Sequence, residues 1–114
     1  MSAYELRVAD RRALLETALA RFVETARRFS DVRAVYVFGS LAREEIGIRS
    51  DLDLLVVRET SLRGPMRGED LALDALLGIE YDLVVLTPEE FDTNGGRSTF
   101  WRDVIAEAKL VYAA

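Results

Sequence analysis

Residues 37–57 read VFGSLAREEIGIRSDLDLLVV. An apolar segment runs into Gly39-Ser40, the chain turns, and a second apolar segment follows with Asp51 and Asp53 set into it. Carboxylates are costly where a strand buries valine and leucine. At positions i and i+2 of a strand the two point to one face and repel each other. Two arrangements would offset that cost. Asp53 could pair with an arginine, or the pair could hold one or two divalent cations that also bridge phosphate oxygens.

Working outward, "VRAVYVFG" (32–39) has the β-branched and aromatic content of a strand, and "DLDLLVVR" (51–58) reads as a second. Between them Ser40 is expected to cap a short helix reaching about Ile46. Upstream, Leu15, Leu19, Phe22, Ala26 and Phe29 follow helical spacing, which predicts an amphipathic helix over 5–29. Downstream, a helix is expected at about 66–77, stopped by Gly78, followed by a third strand, "IEYDLVVLT" (79–87). Thr87-Pro88-Glu89-Glu90 combines an N-cap, a proline in the first turn and a capping-box glutamate. "DTNGGRS" (92–98) reads as a loop, and Ser98 opens a last helix carrying Trp101, Val104, Ile105 and Ala108 before the tail "LVYAA". The order α-β-α-β-α-β-α predicts one small α/β domain over residues 1–114, with a central sheet of at least three strands and flanking helices.

Composition narrows the chemistry. The chain contains neither Cys nor His, which excludes disulfides, thiol nucleophiles, thiolate or imidazole metal sites and histidine acid–base catalysis. Any metal must be held by oxygen, which favours Mg²⁺ or a similar hard cation. The net charge of −5 and pI near 4.8 oppose nonspecific binding of a polynucleotide. No apolar run approaches a membrane span, and "MSAYELRVADRR" holds no signal-peptide apolar region, so a cytoplasmic protein is expected.

Gly39 lets a ligand approach the backbone, and the N–H groups of the helix that follows, with the Ser40 hydroxyl, suit a phosphate. Asp82 interrupts the third strand much as Asp53 interrupts the second. It is placed to complete a metal site or to take a proton from an attacking hydroxyl. Glu80, two residues earlier on the same face, is its rival.

The combined pattern is Gly-Ser, ten residues, Asp-x-Asp, then a lone Asp in the next strand. It resembles the signature of the DNA polymerase β-like nucleotidyltransferases, and more closely the minimal nucleotidyltransferases (MNT domains). The likeness runs from "VYVFGSLAR" through "SDLDLLVV" and "YDLVVLTPEEF" to "FWRDVIAEAKLVY". It implies a small nucleotidyltransferase fold with a mixed sheet. It also implies that Gly39 and Ser40 hold the triphosphate of ATP, that Asp51 and Asp53 bind Mg²⁺, and that Asp82 serves metal binding and acceptor deprotonation. Arg43 and Arg49 become candidate triphosphate contacts. One residue departs from the family pattern: Glu44 stands where glycine is common, which adds an anion near the phosphates.

Minimal nucleotidyltransferases commonly pair with a helical HEPN-domain toxin and neutralise it by adenylylating a tyrosine. The resemblance therefore implies an antitoxin that transfers AMP from ATP to such a partner in a hetero-oligomer. The alternatives are a catalytically weak antitoxin acting by binding alone, and a transferase for a small molecule such as an aminoglycoside.

Overall fold

Ser2 starts the first element: its Oγ accepts the Glu5 backbone N–H at 3.0 Å and caps helix α1, Ala3–Ala26. The structure is a computed structural model and describes residues 1–94 and 99–114. With that cap the helix begins at Ala3 rather than residue 5. It ends at Ala26 rather than 29, because Arg27–Phe29 turn the chain into the sheet, where Phe29 still packs on the core. Leu15, Ala18, Phe22 and Ala26 form its buried stripe. Fully burying Phe22 or Leu15 contributes roughly 1.5–3 kcal/mol each.

Strand β1, Val32–Phe38, leads directly into a five-residue helix α2, Gly39–Arg43, and β2, Leu52–Arg58, follows the return loop. After a 3₁₀ turn at Gly64–Arg67 come α3, Glu69–Ala72, β3, Tyr81–Leu86, α4, Pro88–Asn94, α5, Thr99–Glu107, and β4, Lys109–Ala113. The sheet order is β3-β2-β1-β4. β1 is antiparallel to β2 and β4, whereas β2 and β3 are parallel, so the sheet is mixed.

β2 occupies an interior position, which explains its nearly unbroken run of Leu and Val: both of its faces must be buried. Val35, Val37, Leu54 and Val56 join the stripe of α1 and residues Leu71 and Ala72 in one core. The opposite face carries Tyr36, Asp53, Leu55 and Asp82, and Phe91 of α4 stacks on Tyr36 with ring centroids 5.4 Å apart.

The expected helix over 66–77 is broken. Gly68 adopts φ −127° between the 3₁₀ turn and α3, and a Cβ there would stand 2.7 Å from Leu83 Cδ2. Close packing on β3 therefore requires glycine at the point where it interrupts the helix. Residues 73–78 form turns that end at Gly78, φ +78°. The tail read only as "LVYAA" contains a fourth strand. Residues 92–94, expected in a loop, continue α4, whose capping box is formed: Thr87 N–H donates to Glu90 Oε1 at 2.9 Å, and Glu90 N–H to Thr87 Oγ1 at 3.2 Å. The remainder of that loop and the expected role of Ser98 lie outside the described residues.

At the far end of β2 the nearly buried Arg58 joins three segments. Its guanidinium donates to Asp70 at 2.7 and 2.8 Å, to Asp31 at 3.0 Å and to the Arg67 carbonyl at 2.9 Å. Among the described residues, no helix is long and apolar enough to cross a membrane.

Candidate active site

Asp51, Asp53 and Asp82 each offer a carboxylate oxygen, and these three oxygens lie within 4.8 Å of one another. The backbone produces this convergence. Asp53 and Asp82 are register partners on the parallel strands β2 and β3, and Asp51 lies two residues before Asp53 on the same face. Asp51 and Asp53 are half-buried and Asp82 is exposed. Glu80 lies outside the group; its backbone carbonyl accepts the Leu52 N–H at 3.1 Å.

The crowding is visible in the titration of the central residue. Partial burial pushes the Asp53 carboxyl up from 3.8 to about 6, with further upward pressure from the charges of Asp51 and Asp82 and a hydrogen bond with Asp82; Arg43 opposes the rise. Three carboxylates so close together, in a chain without Cys or His, fit a hard divalent ion.

β1 ends at Phe38, the register partner of Asp53. Gly39 then takes φ +70°, and a Cβ built on it would stand 1.9 Å from Asp53 Oδ2. Both the backbone conformation and the space thus demand glycine. This left-handed residue starts α2 two positions earlier than expected. The N-cap is therefore Phe38, which makes no side-chain capping bond, and Ser40 is half-buried inside the helix instead of capping it.

At its other end α2 closes on Glu44, φ +59°. A residue with a Cβ is strained there by roughly 1 kcal/mol, a backbone reason for the glycine that the resemblance leads one to expect. Arg43 is engaged with two carboxylates, its Nη1 at 3.2 and 3.3 Å from the oxygens of Glu107 and its Nε at 3.3 Å from Glu45. Arg49 lines a hollow with Arg7, Asp10 and Leu14 of α1. Glu107 is a residue that sequence reasoning did not single out. No local pattern marks it, because only the fold carries the end of α5 to α2.

Comparison with known proteins gives the family and the fold. Residues 21–114 match the family described as "Polymerase beta, Nucleotidyltransferase", and the chain belongs to that family. No curated protein sequence gives a significant match. Among solved structures, a presumed nucleotidyltransferase from Sulfolobus solfataricus superposes with a TM-score of 0.63 at 23% identity, over 94% of this chain and 87% of that one. A chain of a toxin–antitoxin structure with AMP-PNP gives a TM-score of 0.59 at 20% identity, over 83% and 73%. A chain of a complex between a tri-AMPylated HEPN toxin from Shewanella oneidensis and its MNT antitoxin gives 0.52 at 20% identity, over 90% and 73%. The fold is thus the small nucleotidyltransferase fold, similar to that of MNT antitoxins paired with HEPN toxins.

Proposed function

We propose that this chain is a Mg²⁺-dependent protein adenylyltransferase, an antitoxin that transfers AMP from ATP to a tyrosine hydroxyl of a HEPN-domain toxin. The observation that carries the reading is the convergence of three carboxylate oxygens within 4.8 Å beside a glycine with no room for a side chain. Structural neighbours include a toxin–antitoxin complex with AMP-PNP and another with an AMPylated HEPN toxin, which favours this acceptor over a small molecule.

In this reading Asp51, Asp53 and Asp82 hold Mg²⁺, which supplies charge neutralisation at the triphosphate and in the transition state. Gly39 lets the triphosphate approach the backbone at the start of α2, Ser40 offers it a hydroxyl donor, and Arg43 and Arg49 supply positive charge. The acceptor oxygen attacks the α-phosphorus in line. A new P–O bond forms, the bond from the α-phosphorus to its bridging oxygen breaks, and pyrophosphate leaves. Asp82, on the outer strand and exposed, takes the acceptor proton. Residues 1–114 act as one minimal nucleotidyltransferase domain in a cytoplasmic hetero-oligomer.

A second reading, an antitoxin that acts by binding alone, draws support from Arg43, whose charge is already shared by Glu45 and Glu107. Incubation with a HEPN-domain partner and α-labelled ATP separates the two. The enzyme reading expects label on a partner tyrosine, abolished by Asp53→Ala with the complex intact on gel filtration. A stable wild-type complex with no label would establish the binding-only reading.

A further inference from the structure

Glu107, the last residue of α5, grips both ends of α2. Its Oε1 accepts the Gly39 N–H at 3.1 Å, and both of its oxygens accept from Arg43 Nη1. These are the first and last residues of a five-residue helix with left-handed backbone at each boundary, Gly39 and Glu44. A helix this short does not persist on its own hydrogen bonds. Something outside it must hold its shape, and Glu107 makes the bonds that do so.

The sheet decides whether this carboxylate competes with an incoming phosphate or supports its site. β2 and β4 flank β1 on opposite sides. Phe38 is in register with Asp53 on β2, and Val37 with Lys109 on β4. Glu107, two residues before Lys109, therefore reaches Gly39 from the β4 side, while the aspartates approach from the β2 side. It holds α2 from behind.

Resting on the nucleotidyltransferase reading, we propose that Glu107 is a positioning residue for triphosphate binding: it fixes Gly39 against the carboxylates and Arg43 at their rim. It touches neither metal nor nucleotide and acts through the backbone of α2 and the Arg43 guanidinium. Glu107→Gln keeps an oxygen for the Gly39 N–H and removes the ion pair. Glu107→Ala removes both.

The test is calorimetric titration of the whole protein with Mg²⁺–ATP and, separately, with Mn²⁺ alone, alongside melting curves. Charge-assisted hydrogen bonds of this kind carry about a tenfold effect when lost. The expected result is Mg²⁺–ATP affinity lowered about tenfold in Glu107→Ala and less in Glu107→Gln, with Mn²⁺ affinity unchanged in Glu107→Gln. A merely structural role would lower the melting temperature of Glu107→Gln and weaken both ligands together, overturning the proposal. Affinity equal to or tighter than wild type in both variants would also overturn it. If the wild-type protein does not bind Mg²⁺–ATP, the nucleotidyltransferase reading fails and this inference fails with it.

Discussion

Asp53 concentrates the conflict between folding and function in one side chain. Its carboxyl is held near pH 6 in the folded protein and ionises near 3.8 when unfolded. The folded state therefore binds the proton more tightly. The stabilisation this provides is complete below about pH 4 and is lost as the pH rises through 6. Above that, the folded protein carries a charge that partial burial, and then the neighbouring carboxylates, disfavour. Asp53→Asn removes the charge and keeps the shape, so the apo variant is expected to be at least as stable as wild type at pH 7. Because wild-type Asp53 is itself protonated at low pH, the difference should vanish below about pH 4. Urea denaturation of the apo proteins across this range checks the sign. A clear loss of stability at pH 7 would make Asp53 a structural ion-pair residue. Much of this was legible beforehand: the i, i+2 spacing places Asp51 and Asp53 on one face, and an Asp within an apolar third strand points to a third carboxylate. The left-handed backbone at Gly39 and Glu44 was not legible, since torsion angles at a turn depend on where the flanking strands must go.

At the scale of elements, β2 carries charge at both ends: mutually repelling carboxylates at its start and, at its end, the buried Arg58, which pins it. Arg58 links β2 to Asp31 before β1 and to Asp70 in α3, and its guanidinium lies 5.1 Å from the ring centre of Phe29. Asp70 is held below the usual carboxylate range, first by its hydrogen bond from Arg58. Arg58→Ala removes a buried stem together with its hydrogen bonds to Asp31, Asp70 and the Arg67 carbonyl, and is expected to cost about 3 kcal/mol in chemical denaturation. Arg58→Met, which keeps the stem and much of the volume, should cost less because Asp31 and Asp70 can be hydrated. Equal stability of Arg58→Ala and wild type would show that the network contributes nothing. Elements with local signals, such as the capping box at Thr87–Glu90, were readable from sequence. β4 was not. It is an edge strand with Leu110 and Val111 exposed, so it shows neither alternation nor a buried run, and only its pairing with β1 defines it. α3 is also shorter than its sequence suggests, because Gly68 answers to β3 and not to its neighbours in sequence.

Across the whole molecule, the mixed sheet does two things at once. One face joins α1 and α3 in the core, and the other sets Asp51, Asp53 and Asp82 together at the end of β2 where β1 turns into α2. The acidic chain thus concentrates negative charge where a divalent cation would relieve it and could then hold a triphosphate. That claim is tested most directly by calorimetric titration with ATP at pH 7.5, once with Mg²⁺ and once with EDTA. Saturating Mg²⁺–ATP should also raise the stability of the native state, by about 2.7 kcal/mol at a hundredfold excess over Kd. Binding with Mg²⁺ is expected to weaken at least tenfold in EDTA, with a similar loss in Asp53→Asn when Mg²⁺ is present. Equal affinity with and without the metal, or in wild type and Asp53→Asn, would contradict it.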